Sequence, residues 1–378
     1  MDKIARKAGI LYVPDQLSIP YIIGDRSRSE VQRSVHRIVD LAVSAAYGGK
    51  RNIEWLEVVC NHPNLSDKKT TLFRDCVVGM REPFFDPLKK TVVFPVDNLI
   101  QDFDLHTCFQ PIRCVKGLNA SFKRPEDVNL FLMTGGSDYA HDYIEIEYAK
   151  VIKSAIRLAI NRGLPGVTIV HSENVTVSME GAFRVWVYEI ADKEFSSQTF
   201  SMNIYRSLFK LWGKTVADEE LTKARMNGKV IIRDESIDQF LSGVSANPED
   251  YSVVVALKCC GDYISDELTK MLGAPGILPR AYYNYESGHA LFESVYVDNL
   301  HAVQSGLVSF IPDLLSALML LNYFEWYEAE NLIKEAIFHD RPDMKQNARE
   351  ADLVKKMSGS LVRSLIGFKM KQLNQDQI

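Results

Sequence analysis

An α/β fold, with helices covering a largely parallel sheet, is predicted by three features of the sequence. Segments with apolar residues at helical spacing alternate with short β-branched runs along the chain, the order that builds covered parallel sheets. The chain opens on a strand–helix–strand unit between Ile19 and Val59. Its 378 residues, 46% hydrophobic and 25% charged, supply ample core and an ordinary soluble composition.

Ile19 to Glu30 reads as strand, turn and helix start. Val31 to Ala46 places Val31, Val35, Ile38, Val39, Leu41, Ala42 and Ala45 at helical spacing, and the glycines after Tyr47 stop it. Asn52 to Val59 is the second strand. Residues 76–101 are strand and loop, punctuated by Pro83, Pro87 and Pro95. Leu105 to Lys116 is a strand, Glu145 to Asn161 an amphipathic helix, Gly166 to His171 a strand and Glu180 to Phe195 a helix. Arg206 to Asn227 is charged and helical, and Lys229 to Arg233 is another strand. Val253 to Leu257 is short, uncharged and β-branched, which marks a buried strand. Asp313 to Ala336 forms two helices joined at Glu325-Trp326, and the tail after His339 is basic and helical. No internal repeat or low-complexity run is present.

Composition narrows the function classes. A net charge of −5 leaves no basic footprint for nucleic acid. The N-terminus has no apolar core of a signal peptide before Pro14. The most apolar window, Gly306 to Phe324, is broken by Pro312 and Asp313, so a core helix is expected there and no membrane span. Six cysteines lack paired zinc spacing, and Cys259 and Cys260 are adjacent, so reduced thiols and a cytoplasmic location are expected.

The polar run Lys258 to Glu267 carries Asp262 and Asp266 four residues apart. A helix starting near Gly261 would stack both on one face. Two carboxylates there suit a divalent cation, but spacing alone favours the plainer reading, with one capping the helix and the other solvated.

The words around these aspartates carry more. "GDYISDEL" followed by "GILPRAYYNYESGHALFE" resembles the isocitrate/isopropylmalate dehydrogenase family, specifically its bacterial NADP-dependent isocitrate dehydrogenases, and "AYGGKRNIEWLEV" in the opening unit does so too. The resemblance spans roughly residues 19–340. It implies two lobes around a mostly parallel sheet: residues 1–105 and 274–378 in the large lobe, and 106–273 in a small, dimer-forming lobe. It further implies a two-fold dimer whose active sites draw on both subunits. The clasp arm of the relatives is nearly absent, because Asp138 runs into the helix at Glu145 within a few residues.

In the family a divalent metal, Mg2+ or Mn2+, supplies Lewis acidity for hydride transfer to NADP and loss of CO2. The resemblance assigns its three aspartate ligands to Asp262, Asp266 and, from the neighbouring subunit, Asp238. The catalytic tyrosine falls at Tyr143 or Tyr139, and the catalytic lysine of "VHKGN" is replaced by Ser172. Glu293, in the counterpart of the family's "FEATHG", is the candidate on the cofactor side.

The substrate and cofactor grips differ. Phe94, Val96 and Ile100 stand at the substrate-loop positions, and Gln110 and Met133 stand where the family has arginines; Arg113 remains. Tyr296 and Val297 replace the cofactor-loop histidine and glycine, and Phe85 and Asp86 replace the paired threonines of the phosphate loop. Losing even three charge-assisted bonds, at about 1.5–3 kcal/mol each, weakens tricarboxylate binding by roughly three powers of ten or more. The expectation is therefore a homologue that has lost oxidative decarboxylation of isocitrate and persists as a scaffold, regulator or partner. It would form a homodimer or a heteromer with a related subunit. The alternative is an active metal-dependent dehydrogenase or decarboxylase on a less anionic hydroxy acid; a ligand sensor is a third.

Overall fold

The computed structural model describes residues 3–7, 10–23, 29–59, 67–82, 84–86, 91–93, 97–114, 120–135, 144–172, 179–274, 278–295 and 311–338. The chain separates into two compact units, Met1–Phe103 with Gly276–Ile378, and Asp104–Pro275.

The first unit begins with β1 (Ala5–Lys7), β2 (Ile10–Tyr12) and β3 (Gln16–Ile23), followed by α1 (Ser29–Tyr47) and β4 (Asn52–Val59). Then come α2 (Asp67–Cys76), β5 (Val78–Arg81), β6 (Phe84–Asp86), β7 (Thr91–Val93) and α3 (Asp97–Asp102). The second unit runs from β8 (Thr107–Arg113) and β9 (Asn129–Gly135) through α4 (Ile144–Asn161), β10 (Gly166–His171), α5 (Met179–Glu194) and β11 (Thr199–Ser201). It continues with α6 (Met202–Trp212), α7 (Lys214–Met226), β12 (Val230–Ser236), α8 (Ile237–Ala246), β13 (Val253–Ala256) and α9 (Lys258–Met271). The chain returns to the first unit with β14 (Arg280–Tyr283), β15 (Ala290–Glu293), α10 (Ile311–Tyr323) and α11 (Tyr327–Phe338).

In the first unit the strands lie in the order β14-β15-β5-β3-β4, parallel except for the β14–β15 hairpin. The order in the second is β11-β12-β10-β13-β9-β8, parallel except for β8 against β9. Both sets of strands are the helix-covered, mostly parallel type that the alternation predicts. No helix among the described residues is long and apolar enough to cross a membrane. Only residues 136–143 separate β9 from α4, which leaves no length for a clasp arm.

The core of the second unit sits where α4 and α5 cover β9, β10, β12 and β13, and includes Val151, Ile152, Ile169, Phe183, Val187, Ile232 and Val255. These positions recur at helical spacing in the helices and alternate in β12, the pattern burial on one face demands.

Two expectations about helices are corrected. The charged segment Arg206 to Asn227 is two helices, because Gly213 at φ 83° breaks the chain direction between α6 and α7. And α9 starts at Lys258, so Gly261 lies inside it. That glycine is needed for packing: a Cβ there would meet Thr134 Cγ2 of β9 at 2.2 Å. Gly261→Ala is expected to push α9 off the sheet and cost about 1–3 kcal/mol, read as a lowered urea midpoint. An unchanged midpoint would show that α9 is free to shift.

Candidate functional site

In the second unit, β10 lies between β12 and β13, and all three run parallel. Their C-terminal ends therefore share one edge. Ser172 follows β10, α8 with Asp238 follows β12, and α9 with Asp262 and Asp266 follows β13. Topology thus brings four of the sequence-predicted residues to one edge of one sheet.

α9 buries Cys260, Gly261, Ile264, Ser265, Leu268 and Thr269, and turns Asp262 and Asp266 outward. Neither aspartate caps the helix; the N-cap residue is Leu257, and the backbone N–H of Lys258 donates to the Tyr148 hydroxyl of α4 at 2.7 Å. Burial pushes that hydroxyl well above its ordinary pKa, so it stays protonated at neutral pH. Lys258 Nζ lies 3.1 Å from Asp262 Oδ2, a half-exposed pair of modest value. Asp238 is exposed in the first turn of α8, whose start is fixed by a capping box between Ser236 and Gln239.

Two exposed carboxylates one turn apart offer the oxygen donors that Mg2+ or Mn2+ takes. Among the described residues no group of three His, Cys, Asp or Glu is placed to hold a metal within this chain. The donor chemistry fits a hard divalent cation, and one chain presents two carboxylates on a single helix face.

Two residues that the resemblance sets at family arginine positions, Gln110 and Met133, are built into the interior of the second unit. Gln110 is buried, and its Oε1 accepts a 2.6 Å hydrogen bond from Ser265 Oγ, on the inner face of α9. Met133 is fully buried in the core with Tyr148, Val151 and Val253. Arg113 ends β8 exposed, and in the first unit Ile100 of α3 is buried. Tyr143, Tyr139, Phe94, Val96, Tyr296 and Val297 lie outside the described residues.

Ser172 is exposed, and its carbonyl accepts from His171 Nδ1 at 2.9 Å. His171 Nε2 faces Asp234 Oδ2 at 3.4 Å. With an acceptor at each ring nitrogen, the doubly protonated imidazolium is the form that satisfies both. Its pKa is raised accordingly, by the Asp234 hydrogen bond first, against burial that lowers it.

Asp234 anchors a cluster that sequence reasoning missed. It accepts from the Tyr188 hydroxyl and from Arg206 Nη2 at 2.6 Å, and Arg184 Nε stands 3.6 Å away. Burial alone would raise its pKa, but hydrogen bonds from His171, Tyr188 and Arg206 outweigh burial and hold the carboxyl well below the usual range. The members come from β10, α5, α6 and β12, so no local spacing announces them.

In the first unit Glu293 ends β15 directly opposite Arg81 of β5. The guanidinium grips Glu293 Oε2 through Nε at 2.6 Å and Nη2 at 2.5 Å, and both side chains are 1% exposed. Nearby, Gln32 Nε2 donates to Glu82 at 2.8 Å and Asp313 at 2.9 Å, and Ser294 donates to Asp313 at 2.6 Å. Glu293 is thus part of a buried polar layer.

Comparisons with known proteins agree with this geometry. The sequence model for "Isocitrate/isopropylmalate dehydrogenase" matches residues 122–365. The NADP isocitrate dehydrogenase of Streptococcus salivarius is 30% identical, with 89% of this chain and 91% of that protein covered. Those of Staphylococcus aureus and Staphylococcus epidermidis are 29% and 28% identical, each with 89% of this chain and 90% of the relative covered. The crystal structure of isocitrate dehydrogenase from Methylococcus capsulatus superposes with a TM-score of 0.68 at 16% identity, spanning 92% of this chain and 99% of that one. On the sequence match, the relatives and the shared fold together, the chain belongs to the isocitrate/isopropylmalate dehydrogenase family.

Proposed function

We propose that this isocitrate dehydrogenase-like chain has lost oxidative decarboxylation of isocitrate and works as a non-catalytic scaffold or partner subunit in the cytoplasm. Gln110 and Met133 carry the proposal. A tricarboxylate needs fixed cations, and at these positions stand a neutral amide bonded to Ser265 and a thioether packed into the core. Neither side chain offers a charge, and Ser172 at the lysine position has no amine to move a proton. NADP binding is proposed to be lost with the substrate grip.

Association with a second copy, or with a related subunit, is supported by the last turn of α6. There Leu211 and Trp212 are 74% and 68% exposed, beside a half-exposed Phe209. Apolar surface grouped in this way commonly marks a contact area. None of the five described cysteines is joined in a disulfide, in keeping with a cytoplasmic setting.

The deciding experiment is an assay of the purified chain with D-isocitrate, NADP and Mn2+. Turnover is expected to be indistinguishable from the protein-free blank, and a rate in the ordinary enzymatic range of about 1–10³ s⁻¹ would overturn the proposal. The outward pair Asp262 and Asp266 favours a second reading, a metal-dependent dehydrogenase acting on a less anionic hydroxy acid. That reading requires a thermal shift with millimolar Mn2+ that Asp262→Asn abolishes.

A further inference from the structure

The second unit has a groove of about 840 Å³. Its floor is the sheet face carrying Gly166 and Thr168 of β10 beside Ile231 and Arg233 of β12, which pair in register. Its wall is the α6–α7 hairpin, through Met202, Arg206, Leu221 and Arg225. Gly163 to Gly166 and Gly228 to Lys229, which lead into β10 and β12, complete it. The groove therefore reaches the N-terminal ends of these parallel strands, whereas Ser172, Asp238 and Asp262 follow the C-terminal ends of their own.

Its charges are unevenly committed. Arg233 is tied to Thr168 Oγ1 at 3.0 Å, the Asp250 carbonyl at 3.0 Å and Glu235 at 3.3 Å. Lys229 Nζ donates to the Ser196 carbonyl at 2.9 Å. Among the acidic groups, Glu249 is paired with Arg124 at 2.8 Å, and Asp234 is shared by Arg206, Arg184 and His171. A single carboxylate facing three cationic groups leaves the cluster with a surplus of positive charge, and Arg206 is the member of the three that lines the groove. Arg225, exposed on the same wall, makes no side-chain hydrogen bond or ion pair among the described residues. Asp250 also lines the groove and repels an anion near it.

We propose that this groove binds a small phosphomonoester. Its dianionic head would be held by Arg206 and Arg225, and an apolar body would lie over Leu164, Leu221 and Ile231. The fork geometry of guanidinium suits the tetrahedral dianion, and a groove of this volume is ordinary for a small ligand. The site does not depend on the chemistry, or loss of chemistry, at the aspartate edge.

Calorimetry with phenyl phosphate as the probe tests it. Phenyl phosphate binds the full chain, and Arg225→Glu weakens binding by at least about tenfold, the scale of one charge-assisted contact. Inorganic phosphate and benzoate, lacking the body and the dianion respectively, each bind more weakly than phenyl phosphate. Lys223→Glu is the control: Lys223 lies on α7, is exposed, pairs with Glu220 at 2.7 Å and does not line the groove. Its affinity stays at the starting value. Arg225→Gln, a milder change with circular dichroism recorded, covers the case in which Arg225→Glu fails to fold. No heat at 10 mM phenyl phosphate overturns the proposal. So does equal binding by the Arg225 variants, or equal loss in Lys223→Glu, which would reduce the effect to diffuse charge.

Discussion

Glu293→Ala is expected to lower the stability of the first unit by about 3–5 kcal/mol, the largest loss predicted for any single change in this chain. Glu293 and Arg81 face each other in register on neighbouring parallel strands, each 1% exposed. Two charges taken out of water are tolerable only while each cancels the other's field. Removing the carboxylate leaves a guanidinium in a layer with little access to solvent, and that uncompensated charge accounts for most of the penalty. Glu293→Gln, which retains shape and one acceptor, should lose less than Glu293→Ala. Replacing both partners by Met should recover much of the loss, because the two fully buried charges are then gone and only Arg280, 19% exposed and 3.6 Å from Glu293, keeps its charge there. Urea midpoints of the four proteins check this; a loss below about 1 kcal/mol in Glu293→Ala would show that water reaches the pair.

The second large effect belongs to Asp234→Ala. Here one carboxylate, 7% exposed, accepts from Arg206 and Tyr188, with His171 and Arg184 near its other oxygen. The arginines are 36% and 42% exposed, so solvent screens part of the interaction, and the expected loss is about 2–3 kcal/mol. The pH dependence is sharper evidence than the magnitude. Asp234 has a depressed folded pKa, so its contribution is present above the ordinary carboxylate pKa and is lost as pH falls toward the folded value. His171 has a raised folded pKa, so its contribution is full below the ordinary imidazole value of 6.5 and is lost as pH rises through the folded value. Stability should therefore decline on both sides of a mildly acidic plateau, and Asp234→Asn should flatten both limbs. A variant whose pH profile parallels the parent would mean that the cluster does not titrate as a unit.

Much of the secondary structure was legible because burial writes itself into local spacing. The strands Asn52–Val59 and Gly166–His171 match their sequence limits, and the helix read from Glu145 to Asn161 gains one residue. Glu325, joining α10 to α11, sits at φ 58°, where the sequence placed the break. The α6–α7 break was missed because a charged, periodic stretch hides a turn made by one glycine, Gly213. The start of α9 was missed for a related reason: Gly261 looks like a boundary in sequence but serves as the contact point with Thr134.

The site was legible only in part. Asp262 and Asp266 announce a common helix face by their spacing, and the structure turns that face outward. Gln110 and Met133 could be named as replacements, yet that one is bonded to Ser265 and the other sealed in the core required coordinates.

By itself, then, the sequence determined the alternation of helices and strands, the buried faces and the family likeness, because each is carried by residues a few positions apart or by whole words. Tertiary structure alone decided which distant groups meet. The Asp234 cluster, the Arg81–Glu293 pair and the groove under α6 and α7 join residues from separate strands and helices. Such meetings depend on strand order and register, and a charge on one strand leaves no periodic trace of its partner on another.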